Sequence, residues 1–303
     1  MERALSLSAR DRSLLKLLSW TPATTTLLLK ASVTFDGRGF DSERRLRERM
    51  QALATAGFVR SWSTAHAGGG LENYYKLSQA GFELLFGPDA TPPPRAFFAA
   101  ISPSLFEHTH TLAEVIVEIV RACHSGRITI ERFFRENELT FTAGNDQVQP
   151  DCFIRFACAG KTFNVAFEID QSQESLDSYA VNSVRQKLQT YDTYQATLLS
   201  QWLAAGKTWS ERPRFRVAFL TRSIERAYHS LSLAAQITSN VRRRFVYAAT
   251  QEHFLGDPNS IRSPIFLDHL GEWHSIVDLH PTAKYRKTPV RFPRPLDGSV
   301  VPW

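Results

Sequence analysis

The sequence predicts an α/β (α+β) chain of two domains, a small helical one closed by a β-hairpin and a larger one built on a mixed central sheet. Three observations predict it. Residues 8–56 carry three stretches of helical periodicity, followed by two alternating runs separated by glycines. A proline-rich stretch, Gly87-Pro88-Asp89-Ala90-Thr91-Pro92-Pro93-Pro94, then interrupts the pattern. Beyond it, strand-like apolar runs alternate with long amphipathic helices. With 303 residues, 43% hydrophobic and 22% charged, the chain is long enough to bury two cores.

The elements follow in order. Ser8 to Trp20 is a helix with Leu14, Leu15, Leu17 and Leu18 on one side, capped by Ser8 with Asp11 three residues on. A second helix starts at Pro22 and carries Leu27, Leu28 and Leu29. A third runs from Ser42 to Ala56 and stops at Gly57; Leu46, Met50 and Leu53 share its inner face. Phe58–Trp62 and Asn73–Leu77 are strands, and Ala67-Gly68-Gly69-Gly70 is the tip between them. Ser78 to Phe86 closes the domain with a short helix. Three helices and a hairpin are the order of a winged helix-turn-helix, spanning residues 1–87. Its third helix can enter a major groove while the wing touches phosphates. On that reading Arg44, Arg45, Arg47, Arg49 and Gln51 of the third helix, with Arg60 and Lys76 of the hairpin, face DNA.

Residues 88–100 read as a linker and 101–280 as the second domain. A helix from Ser104 to Ser125 buries Leu112, Val115, Ile116, Ile119 and Val120. Strands at 152–157 and 163–169 precede a helix from Tyr179 to Leu203. A strand at 215–220, a helix at 224–240 and a strand at 245–249 complete the alternation. Residues 281–303 form a basic, proline-rich tail with Lys284, Arg286, Lys287, Arg291 and Arg294.

Bulk properties narrow the function classes. The net charge is +6 and the pI about 9.3, which suits a polyanionic partner. No run reaches the roughly 18 apolar residues of a membrane span, and the first residues lack the apolar core of a signal peptide. Three cysteines, Cys123, Cys152 and Cys158, form no CxxC pair, so the expected compartment is the reducing cytoplasm. No P-loop is present, which excludes an ATP-driven motor of that type. His108 and His110 are two apart on a helix and do not face one another. Tyr191 and Tyr194 read as packing residues of their helix rather than nucleophiles.

One constellation carries chemistry. Asp151 opens a strand after Pro150, and Glu168 and Asp170 end the next strand. Positions two apart on a strand share a side, so these two carboxylates point the same way. Lys187 lies on the following helix, and Glu114 or Glu118 on the preceding one. Carboxylates converging at a sheet edge can hold Mg²⁺, with metal ligands Asp151, Glu168 and Asp170. The ion could activate water, and a lysine could stabilise the transition state.

Pro150-Asp151 followed by Glu168-Ile169-Asp170 resembles the PD-(D/E)xK nuclease superfamily. The resemblance implies a catalytic set of Asp151, Glu168, Lys187 and Glu118. Asp170 stands where that pattern has lysine, and Lys187 is the candidate for a lysine moved onto the helix. The order of blocks is a second resemblance. Tyr75–Gly81, His110–Val115, Pro150-Asp151, Phe167–Asp170 and Lys187–Tyr191 are similar to the replication-relaxation family of plasmid and mobile-element proteins, over residues 8–250. That resemblance implies double-stranded DNA as partner, with a second copy of the chain and replication or mobilisation proteins as further expected partners.

Three functions stay open. The first is a DNA-binding protein of a plasmid, phage or other mobile element, acting in replication, relaxation or mobilisation. The second is an Mg²⁺-dependent endonuclease or nickase; without cleavage no cofactor is implied. The third is a winged-helix transcriptional regulator reading a palindrome.

Overall fold

The computed structural model describes residues 6–65, 71–171, 176, 183–208, 212–240 and 243–277. The expected glycine tip, the start of the helix placed at Tyr179, and the basic tail lie outside the described residues. The chain divides into two compact units, Met1–Arg121 and Ala122–Trp303.

In the first unit, α1 (Ala9–Trp20) begins with a reciprocal cap. Ser8 accepts from the Asp11 amide at 3.2 Å, and Asp11 accepts from the Ser8 amide at 2.7 Å. Leu14, Leu15 and Leu18 are buried on its inner face. The second helix does not start at Pro22. Ala23–Thr24 form a short strand, β1, and α2 (Thr25–Ala31) follows, capped by the Thr24 hydroxyl. In α3 (Glu43–Thr55) the Ser42 hydroxyl caps the start, and Leu46, Met50 and Leu53 are fully buried. Gly57 takes the left-handed conformation (φ +80°) that lets its amide reach the Ala54 carbonyl and the Phe58 amide reach Leu53. β2 (Val59–Ala65) and β3 (Leu71–Leu77) pair antiparallel, and β1 adds on the far side of β3, giving the order β1-β3-β2. α4 (Gln79–Phe86) presses against this sheet so closely that a Cβ on Gly81 would lie 2.1 Å from the Phe58 carbonyl oxygen.

The stretch expected as a spacer is fastened down. Pro94 opens a single turn, α5 (Arg95–Phe98), whose Phe98 ring meets Phe82 edge-on at 6.4 Å. The Lys76 ammonium donates to the Ala99 and Ala96 carbonyls, at 2.6 and 3.3 Å, and the Tyr74 hydroxyl accepts from the Ile101 amide at 3.0 Å. α6 (Pro103–Gly126) then carries the chain from the first unit into the second.

The second unit is built on a mixed seven-stranded sheet of order β12-β11-β10-β9-β8-β7-β4. Its strands are β4 (Thr129–Arg135), β7 (Cys152–Cys158), β8 (Lys161–Asp170), β9 (Arg216–Thr221), β10 (Val246–Thr250), β11 (Phe266–Asp268) and β12 (Trp273–His274). A separate two-stranded ribbon, β5 (Phe141–Ala143) and β6 (Asp146–Val148), lies between β4 and β7 in sequence. β8, β9 and β10 run parallel, and the other neighbours are antiparallel. Strand β8 is central and its last six residues are buried, which is why its run from Val165 to Ile169 is almost continuously apolar.

The parallel crossovers are α7 (Val184–Ala204) and α8 (Ile224–Ile237), which pack on each other and against the sheet. Between them and the sheet lies a core of Phe141, Leu188, Tyr191, Phe215, Phe219 and Leu231. α8 stops at Ile237, three residues short of the expected end. On the other side of β8, Phe167 meets Phe254 of α9 (Gln251–Gly256) at 6.4 Å. Burying each such Leu or Phe contributes about 1.5–3 kcal/mol. All three cysteines are buried and free.

Candidate active site

Asp151 stands where the β7 backbone leaves the ladder. Its amide still donates to the Phe167 carbonyl at 3.1 Å, and its Oδ2 accepts from the Ile169 amide at 2.5 Å. The carboxylate therefore replaces one rung of the sheet, and this fixes it beside Glu168, the residue between those two partners.

Glu168 points to the side covered by α7, and only 1% of it is exposed. Lys187 and Tyr191 are one turn apart on α7, so they share a helix face. The Lys187 ammonium donates to Oε2 of Glu168 at 2.9 Å, and the Tyr191 hydroxyl to Oε1 at 2.5 Å. Burial pushes the Glu168 carboxyl up to about 7, with the Lys187 ammonium pulling it down and the Asp151 carboxylate pushing it further up. Burial and the Glu168 charge drive the Tyr191 phenol well above its usual range, so it stays a donor. The Cys152 thiol is driven well up by burial and by Asp151 and Glu168; it stays protonated and is no nucleophile.

Asp170 shares the side of Glu168, as its spacing implies, but it is engaged elsewhere. Arg226 of α8 chelates it through Nε at 2.5 Å and Nη2 at 3.0 Å, and its side chain is 2% exposed. A carboxylate held in a bidentate guanidinium fork is a poor third ligand for a cation. Glu118, expected to complete the set, lies in the first unit. Its carboxylate takes up Lys30 and both bonds of Arg121, at 2.8 and 2.9 Å. Glu114 lies 3.9 Å from His110 on the same helix.

The sequence reading missed two contributors. Tyr191 reads from the sequence as a packing residue, yet its hydroxyl bonds Glu168, and its i+4 spacing from Lys187 is the signal that marks it. Glu136, in the turn after β4, brings a carboxylate oxygen within 4.8 Å of one of Asp151's. Asp151 and Glu136 are hard oxygen donors of the kind a divalent ion such as Mg²⁺ or Mn²⁺ prefers, whereas both Glu168 oxygens are taken up by Lys187 and Tyr191.

The residues expected to face DNA separate into two groups. Arg44, Arg45, Arg47, Gln51 and Arg60 are exposed. Arg44 pairs with Glu48 at 2.9 Å and Arg47 with Glu43 at 2.5 Å, each one turn away along α3. Arg49 is instead a strut: its Nε and Nη2 grip both oxygens of buried Asp11, at 2.8 and 2.6 Å. Those bonds more than offset the effect of burial and hold the Asp11 carboxyl below its usual range. Lys76 is 6% exposed and bonded to carbonyls, so it is a second structural tie.

No helix among the described residues is long and apolar enough to cross a membrane. No family model and no curated protein matches the chain. Among solved structures, the restriction endonuclease FokI is similar over 84% of this chain and 45% of its own, at 12% identity and a TM-score of 0.29. The chain thus spans less than half the length of that protein. At that score the likeness carries no argument about the site, whose chemistry rests on the geometry above.

Proposed function

We propose that this protein binds double-stranded DNA through its first unit and cleaves or nicks it, with a divalent metal ion, at Asp151, Glu168 and Lys187 in its second. The observation that carries this reading is the ion pair between Lys187 and Glu168 beside Asp151. Two buried carboxylates and an amine, drawn from two adjacent strands and the next helix, are the donor set of a PD-(D/E)xK centre whose lysine has moved onto the helix.

In this reading Asp151, Glu168 and the nearby Glu136 hold the ion. When bound, the ion lowers the pKa of a water and polarises a phosphoryl oxygen. Lys187 supplies positive charge at the same carboxylates, where it stabilises charge growing on the phosphate. Tyr191 fixes the rotamer of Glu168. The first unit acts as a winged helix. Support comes from the element order α1-β1-α2-α3-β2-β3, the sheet order β1-β3-β2, and exposed arginines on α3. The resemblance of the block order to plasmid replication-relaxation proteins is the support for the proposed role on a mobile element, in replication or mobilisation.

A second reading has its own observation. Glu168 is almost wholly buried and already balanced by Lys187 and Tyr191, as in a structural polar network. The second unit would then be a DNA-binding or dimerisation platform. Supercoiled plasmid incubated with Mg²⁺ or Mn²⁺ decides between them. Nicking that EDTA and Glu168→Ala both abolish supports the nuclease; intact plasmid together with a gel shift supports the platform.

A further inference from the structure

We infer that Gln171 and Arg222 form a subsite for a backbone phosphate oxygen of DNA, beside the Asp151–Glu168–Lys187 centre; this rests on the DNA-cleaving reading above. The three parallel strands end in register, Asp170 opposite Thr221 and Thr221 opposite Thr250. Each is followed at once by a polar side chain: Gln171, Arg222 and Gln251. The carboxyl ends of parallel strands are where α/β sheets take their ligands.

These three side chains are not equivalent. Gln251 turns inward, donating to the Leu220 and Asp170 carbonyls at 3.1 and 3.4 Å, and so closes the strand ends. Gln171 is 7% exposed, and its Oε1 accepts from Arg222 Nε at 2.6 Å. That bond fixes which end of the amide is which, because a flipped amide would set N–H against N–H. The Nε2 group of Gln171 is buried and has no hydrogen-bond partner among the described residues. Native structures rarely keep a buried donor unmet, and those that do point to a missing partner.

That partner must accept hydrogen bonds and tolerate a guanidinium. The carboxylate next to Gln171 in sequence leaves room for an anion, because Asp170 is neutralised by Arg226. A non-bridging phosphate oxygen accepts from an amide N–H and from an arginine together. Gln171 lies three residues along from Glu168, roughly 10 Å of extended chain, so the subsite grips the strand near the centre without touching the bond being cut.

The test uses the full chain in EDTA with a short fluorescein-labelled duplex. Gln171→Glu keeps the acceptor for Arg222 and removes the donor; Gln171→Leu removes both. Both variants should bind about tenfold more weakly. Gln171→Leu should nonetheless melt no lower than wild type, because it also removes a buried unmet donor. Arg222→Gln should lower the slope of log Kd against log salt by about 0.9, one phosphate contact. Wild-type affinity for Gln171→Glu would overturn the subsite, whatever the plasmid assay shows. Weaker binding by Gln171→Glu, with no metal-dependent nicking by the wild type, would keep the subsite and overturn the cleavage reading alone.

Discussion

The Lys187 ammonium reaches Glu168 Oε2 at 2.9 Å across 19 residues of sequence, from helix to central strand. The contact serves folding and the proposed chemistry together. Lys187→Met should reduce metal-dependent nicking about 10²–10³-fold, the usual cost of losing one charge-stabilising donor. It should also leave Glu168 buried without its countercharge, so the protein takes up a proton at neutral pH. Adding Glu168→Gln should recover most of the lost melting temperature and none of the activity. A double variant no more stable than Lys187→Met alone would show that the pair is not the source of the instability.

A second prediction concerns pH. Glu168 titrates near 7 in the folded chain, against 4.5 for an ordinary glutamate, because burial disfavours its charge. Between those values the folded state binds more protons than the unfolded one. Its contribution to stability is therefore full below about 4.5 and lost as pH rises through about 7. A divalent ion needs the ionised carboxylate, so its affinity should move the opposite way. Isothermal titration with Mn²⁺ should show affinity rising from pH 6 to pH 8 by about tenfold per unit below the folded pKa. The rise should vanish in Glu168→Gln. A flat profile in the wild type would place the metal elsewhere.

The second unit was largely legible because its signals are local. Val165–Ile169 is an apolar run of strand length, and Ser183 and Ser223 cap helices whose apolar spacing is regular. What was hidden depends on partners far away in sequence. Asp170 could be placed on the side of Glu168 from spacing alone, but the guanidinium that claims it comes from residue 226, 56 positions on. The same holds for Lys76. Alternation in β3 suggests one wet face, yet its last four residues are all buried. β3 is the middle strand, because Ala23–Thr24 pair with its second edge, and two residues after a proline give no readable strand period. Glu136 lies in a turn, where a carboxylate has no pattern to mark it.

Arg49 and its neighbours on α3 should behave as two classes. Arg49→Ala removes one half of a buried bidentate pair and strands Asp11, which also caps α1. The expected loss is about 3–5 kcal/mol, read by urea denaturation. Acid should act on the same bond: the Asp11 carboxyl titrates below its ordinary 3.8, so its stabilisation is present above that pH and is lost as pH falls through the lower folded value. Arg44→Ala, Arg45→Ala and Arg47→Ala touch only exposed groups and should change stability by no more than about 0.5 kcal/mol. Each should instead weaken duplex binding, with a shallower salt dependence. Equal salt slopes for wild type and the triple variant would remove α3 from the DNA interface.

Lys76 gives the sharpest separation between a basic residue that binds DNA and one that holds the fold. Burial lowers its ammonium to about 8, from 10.5. Between those values the unfolded chain binds the extra proton, so the stability of the wild type should rise with pH across this window. Lys76→Met keeps most of the side-chain volume over Phe97 but removes the donors to the Ala96 and Ala99 carbonyls. The variant should lose that pH dependence and expose the 95–99 segment to faster amide exchange. Its affinity for duplex DNA should stay within twofold of wild type, because the ammonium never reaches the surface. A tenfold loss of affinity at unchanged stability would return Lys76 to the interface and require the 95–99 segment to detach when DNA binds.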